Sequence, residues 1–237
     1  MLAYRSGDSL QPPIFRWFLL SALLLCAAGR HAAAQELNFS HQLHLEKAGA
    51  TCVDCHSAAN DSQAATDSLL PSKEKCAVCH EGGTATPIDA TPIDTAGLDA
   101  IAPKPRSYRF NHQFHLRFGN VAPLIAAAID NGSYLGSAGD ARRHLDTNDA
   151  CQACHRGVEE AGLATAAHLP RMSDCLVCHS KVDNPFSCEK CHLEGSNLRP
   201  ADHTREFVDL HPTGKLDYDK QTCLPCHGRN FACMGCH

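Results

Sequence analysis

Phe39-Ser-His41-Gln-Leu-His44-Leu45, followed by Cys52-Val-Asp-Cys55-His56 and Cys76-Ala-Val-Cys79-His80, is the stretch from which the rest of the chain can be read. Its two closing motifs share one form: a cysteine pair separated by two residues, with histidine directly after the second. The form recurs at Cys151-Gln-Ala-Cys154-His155, Cys175-Leu-Val-Cys178-His179 and Cys188-Glu-Lys-Cys191-His192. It closes the chain at Cys223-Leu-Pro-Cys226-His227 and Cys233-Met-Gly-Cys236-His237. Fourteen of the 15 cysteines are thereby used, and only Cys26 stands outside the series.

Cys-x-x-Cys-His is the attachment motif for c-type haem. Two cysteines at this spacing can each form a thioether to one vinyl group of a single porphyrin, and the next residue then ligates the iron. Neutral imidazole suits that role. Zinc sites do not require histidine after each second cysteine, and a disulfide scaffold does not hold every pair at one spacing. The series therefore implies seven covalently attached haem c groups and no zinc.

Composition points the same way. Residues 1–34 read as a leader, so the mature chain has 203 residues, of which 37 are Leu, Ile, Val or Phe. That is below the roughly 20% at which a charged chain struggles to build an apolar core. The expected fold is mainly irregular coil with short α-helices wrapped around a covalently bound haem array, with little or no β-sheet. Mature charge is 18 basic against 25 acidic residues. No basic footprint for nucleic acid is present.

The leader has Arg5 and Arg16, an apolar run Trp17–Ala28, and Ala32-Ala33-Ala34 before Gln35. This is the pattern of a secretory signal peptide cleaved near Ala34/Gln35. The run is shorter than the about 20 residues a membrane span needs, which weighs against an uncleaved anchor. Export, with the periplasm as destination, is the expectation.

The phrase Phe39-x-His41-x-x-His44 recurs as Phe110-Asn-His112-Gln-Phe-His115. Each phrase precedes a pair of motifs whose first cysteines lie 24 residues apart, at 52 and 76 and at 151 and 175. This is an internal duplication. The expected divisions are a leader (1–34), a dihaem module (35–80), a Pro/Thr/Asp-rich linker (81–107), a trihaem module (108–192) with an insertion at about 118–149, and a C-terminal dihaem segment (193–237). Within the insertion, Pro123 to Ile129 followed by Asn131-Gly132 predicts a short helix and its stop.

Each motif histidine supplies one axial ligand. Outside the motifs and leader stand His41, His44, His112, His115, His144, His168, His203 and His211, one more than seven irons need. The mature chain has only two methionines, Met172 and Met234, so mostly bis-histidine, low-potential sites are expected. His144 and His168 each lie seven residues before a motif cysteine, and His203 and His211 flank Phe207.

On these phrases and motifs the chain resembles the class III multihaem cytochromes, the cytochrome c3 and c7 family, over 39–80 and 109–192, and over 193–237 by motif alone. The resemblance implies that the first histidine of each phrase faces the haem of the next motif and the second reaches a later haem. It would set His41 toward Cys52/Cys55, His44 toward Cys76/Cys79, and His112 toward Cys151/Cys154. It would set His115 toward a later haem such as that of Cys188/Cys191.

The function expected is electron transfer between redox partners, with no catalytic residues: no phosphate loop, nucleophile elbow or H-E-x-x-H helix is present. Partners in view are a quinol-oxidising membrane complex, a terminal reductase or an outer-membrane conduit. Two alternatives stand beside it: a multihaem oxidoreductase with one five-coordinate haem, and self-association into a haem-bearing filament. A mass spectrum of the mature protein should show seven added haems and an N-terminus at Gln35. Zinc or paired cystines in their place would overturn the cofactor reading.

Overall fold

The computed structural model describes residues 37–80, 96–99, 106–182, 188–216 and 219–228. The leader, most of the linker and the motif Cys233–His237 lie outside the described residues. Those described fall within one compact unit, Leu37–His237. They form short helical pieces joined by coil, and the sole β feature among them is an isolated antiparallel bridge between Tyr108 and His192. Among the described residues no helix is long and apolar enough to cross a membrane.

Five of the described motifs sit on short helices, α1 (Cys52–His56), α2 (Lys73–His80), and further along α6 (Met172–Val182), α7 (Cys188–Cys191) and α9 (Leu224–His227), while Cys151 to Cys154 form a turn. One turn suffices because positions i and i+3 share a face, which presents both sulfurs of a pair to one side. Asp54 fixes the start of α1: its carboxylate accepts from the N–H and the hydroxyl of Thr51, both at 2.7 Å. A four-residue turn, α3 (Ala96–Asp99), occupies a proline-free stretch of the linker. The second phrase forms α4 (His112–Leu116), and α8 (Arg205–Leu210) lies between His203 and His211.

The helix expected in the insertion runs as α5 (Ala122–Asp130), with proline in its first turn and Asn131 at its C-cap. Gly132 then adopts φ +72°, a conformation that suits glycine. Around α5 sits an apolar cluster of Ala122, Ile125, Ala126, Ala128, Tyr134, Leu145 and Ala153. Ala153 is the residue before Cys154, so this core is built directly against the third motif. Beneath it lies a polar knot. The Tyr134 hydroxyl donates to Asp174 Oδ1 at 2.8 Å, and Arg156 donates to Asp174 Oδ2 at 2.6 Å. The ion pair's side chains are 8% and 2% exposed.

Elsewhere large apolar side chains are open. Val53 and Val78 inside their motifs, and Leu43 and Phe114 between phrase histidines, are 44–60% exposed. The mature chain's leanness thus shows as a core confined to one corner.

The two phrases interlock across the duplication. The Gln42 N–H donates to Ala161 O at 2.9 Å, and the Gln113 N–H to Ser62 O at 3.0 Å. Gln42 and Gln113 are equivalent, and Ala161 and Ser62 each lie seven residues past the second cysteine of the motif that follows their phrase. Each half therefore binds its phrase to the other half's loop. The equivalent cysteines Cys52 and Cys151 meet at the centre, their sulfurs within 4.8 Å of each other and of an Asp149 oxygen. Equivalent residues in mutual contact are the mark of an approximate two-fold relation.

Removing the carboxylate of the polar knot leaves Arg156 as an unpaired buried cation, so Asp174→Ala should cost about 3–5 kcal/mol. Tyr134→Phe, losing one neutral donor, should cost about 1 kcal/mol. Denaturant unfolding of the haem-loaded protein measures both, and equal costs would contradict the charge assignment.

Candidate metal centre

Among the described residues five histidine pairs lie close together, and each joins a motif histidine to one outside the motifs. His41 opposes His56 with ring centres 6.4 Å apart and planes at 10°. His112 opposes His155 at the same 6.4 Å and 10°. His44 faces His80 at 6.1 Å, His115 faces His179 at 6.2 Å, and His203 faces His227 at 6.3 Å. A metal–imidazole bond is about 2 Å and the ring centre lies roughly 1 Å behind its nitrogen, so imidazoles on opposite sides of one metal have centres roughly 6 Å apart. The same bonds at a tetrahedral angle would bring the centres to roughly 5 Å. The spacing fits two imidazoles on opposite sides of one metal.

The sequence explains how the imidazoles are aimed. Phe39 stacks on His44 at 4.4 Å and meets His41 edge-on at 4.8 Å. Phe110 does the same to His115 and His112, at 4.4 and 4.7 Å. One phenylalanine thus steadies two histidines. The residue after it caps the turn: Ser40 Oγ accepts from Leu43 N–H at 3.1 Å, and Asn111 Oδ1 from Phe114 N–H at 2.7 Å. Their carbonyls accept from His44 Nδ1 and His115 Nδ1, both at 2.8 Å. The aromatic and capping roles were missed in the sequence; the repeated Phe and the capping residue after it were the available signals.

Carbonyl partners also fix tautomers. His41 Nδ1 donates to Gly162 O at 2.7 Å, His56 Nδ1 to Leu69 O at 2.7 Å, and His155 Nδ1 to His168 O at 3.2 Å. A carbonyl only accepts, so the proton sits on Nδ1 and Nε2 keeps its lone pair for a metal. Burial pushes the pKa values of His41, His112 and His155 below the ordinary histidine value, which favours the neutral, ligating form.

The remaining histidines differ. His115 lies against His179 of the Cys175 motif, not against His192 as the resemblance suggested. The reason is the duplication itself, since His44 and His115 each reach the second motif of their own half. His211 Nδ1 donates to Phe207 O at 3.0 Å, four residues back, as His44 and His115 do. Phe207 stacks on both His203 and His211, at 4.9 and 5.1 Å. His168 is reversed: its Nδ1 accepts from the Thr165 N–H at 2.9 Å, which puts the proton of a neutral ring on Nε2. His144 donates from Nδ1 to Glu159 at 3.2 Å, and its Nε2 accepts from Arg143 at 2.9 Å. His192 Nδ1 is buried with no hydrogen-bond partner.

Among the described residues every cysteine is free of disulfide: Cys52, Cys55, Cys76, Cys79, Cys151, Cys154, Cys175, Cys178, Cys188, Cys191, Cys223 and Cys226. Burial pushes the Cys55, Cys76, Cys154 and Cys226 thiols up, and Cys175 up to about 12. Cys151 alone goes down, through the hydrogen bond from Cys52.

Opposed neutral imidazoles, a cysteine pair one turn away and uncovered apolar side chains beside them fit an apolar ring bonded through sulfur. Residues 37–98 match the family model described as cytochrome c7 and related cytochrome c. The chain is also similar to the "Menaquinone reductase, multiheme cytochrome c subunit" of Nitratidesulfovibrio vulgaris, with 22% identity over 191 residues, 78% of this chain and 78% of that one. The repeated motifs and these likenesses are those of a multihaem cytochrome c.

Proposed function

We propose that this protein is an exported electron carrier holding seven haem c groups, mostly with two histidine ligands each. The opposed histidine pairs at 6.1–6.4 Å carry the reading. In each, the chain fills both axial positions, which leaves no site for a substrate on the metal. The haem supplies reversible one-electron exchange, while the chain supplies ligands, spacing and a low-dielectric surround.

The ligand sets follow from the pairs: His41 with His56, His44 with His80, His112 with His155, His115 with His179, and His203 with His227. The cysteines before each motif histidine anchor the ring. His211 shares the hydrogen-bonding device of His44 and His115 and serves as a sixth distal ligand. Its partner is one of the two motif histidines outside these pairs, His192 or His237. The relative named as a menaquinone reductase subunit supports a quinone-linked membrane complex as the partner class, with the protein on the periplasmic side. The acidic mature chain suits a basic docking face.

A second reading is favoured by one observation. His168 presents the wrong tautomer and His144 has its outer nitrogen engaged by Arg143. One iron would then be five-coordinate and open to a small ligand, as in a multihaem oxidoreductase. Carbon monoxide binding to the reduced protein separates the two: none is expected of a carrier with every iron six-coordinate.

His41→Ala should leave haem content unchanged and convert one iron from low to high spin, read by electronic absorption and paramagnetic resonance. An unaltered low-spin spectrum would refute the pairing with His56. Phe110→Ala, which frees both His112 and His115, should add a partial high-spin signal at two irons, and His41→Ala at one only.

A further inference from the structure

The two halves of the duplication look alike at their first centres, yet the surroundings of those centres differ. His41/His56 and His112/His155 share one ring separation and one interplanar angle, so ligand geometry does not distinguish them. Their surroundings do. In the first half both Nδ1 atoms donate to carbonyls at 2.7 Å. In the second, His155 donates at 3.2 Å and His112 Nδ1 is buried without a partner. Donation from Nδ1 makes the ligating nitrogen more basic and favours the more positive, ferric state.

Burial differs in the same sense. Ala153, directly before the second cysteine of the third motif, is fully buried in the core built by the insertion, whereas Asp54 at the same position of the first motif is exposed. Low dielectric disfavours the extra positive charge of the oxidised iron. Fixed charge differs too. Asp54 stands directly before Cys55, where the third motif has Ala153. Its carboxylate accepts two bonds from Thr51 at the exposed start of α1. Asp149 lies between Cys52 and Cys151 and acts on both. Asp174, near Cys154, is neutralised by Arg156.

We propose that His112 and His155 hold their iron at a higher reduction potential than His41 and His56 hold theirs. The inference rests on the bis-histidine reading given above. The Cys52–Cys151 contact is then a symmetric junction with a preferred side, and an electron shared across it rests in the second half. No proton moves and no bond changes, because both ligands stay in place.

The test is an equilibrium redox titration of the haem-loaded full chain, followed by its low-spin absorption. His41→Ala and His112→Ala each delete one low-spin step. The step lost with His112 should lie above the one lost with His41. Where an alanine variant fails to assemble, His41→Met and His112→Met keep a sixth ligand and raise their own step, which identifies the same two steps. Asp54→Asn should raise the His41 step and leave the His112 step in place. High-spin irons with the steps coincident or in reverse order would overturn the proposal alone. Absence of any high-spin signal in both alanine variants would overturn the ligand pairing, and the proposal with it.

Discussion

Two imidazoles facing each other across a fixed span govern this structure. The span repeats within a few tenths of an ångström at five places with unlike surroundings, as a shared span of two metal–nitrogen bonds would require. Local structure serves this spacing. A single helical turn is enough to present a cysteine pair and the histidine after it. A phenylalanine with a capping residue behind it is enough to aim two distal histidines. Neither device needs a long helix or a sheet, which is why the chain has short turns and coil.

Stability follows a matching division. One corner, around α5, is an ordinary protein core with a buried ion pair and a tyrosine beneath it. The remainder keeps large apolar side chains such as Val78 and Phe114 uncovered by protein. A chain with so little Leu, Ile, Val and Phe cannot offset its conformational entropy by self-packing alone. Rings bonded through sulfur would place the apolar cover where the sequence puts the histidines, and would couple folding to cofactor attachment.

Much of this was legible because it is local. Cysteine spacing, the twice-used phrase and the Pro123 to Asn131-Gly132 helix are each contained within a dozen residues. What escaped is long-range. The exchange of Gln42 with Ala161 and of Gln113 with Ser62 spans the whole duplication, and no residue type announces it. The Tyr134–Asp174–Arg156 knot joins the insertion to two motifs by hydrogen bonds that composition cannot reveal. The partner of His115 was different, because the information was present. Two equal gaps of 24 residues already related His115 to His179 as His44 is to His80. The resemblance to the cytochrome c3 and c7 family implied a later haem, such as that of Cys188/Cys191, and the nearer motif of the same half is the one His115 meets.

The insertion has no counterpart in the first half, and it breaks the symmetry that the duplication creates. Two identical halves meeting at Cys52 and Cys151 would share an electron evenly, since equivalent sites have equal energies. Packing α5 against Ala153 buries that residue of the third motif, whereas Asp54 at the same position of the first stays exposed. The same packing brings Arg156 and Asp174 together as a neutral pair, so the burial is not undone by a lone charge. The other half keeps Asp54 on a water-exposed turn, where a carboxylate is stable. Apolar mass on one side and an exposed anion on the other tilt an otherwise even junction without touching a single metal ligand. Ligand geometry and potential are thus set by separate parts of the chain: the phrase and motif fix the first, and the insertion with one motif side chain adjusts the second.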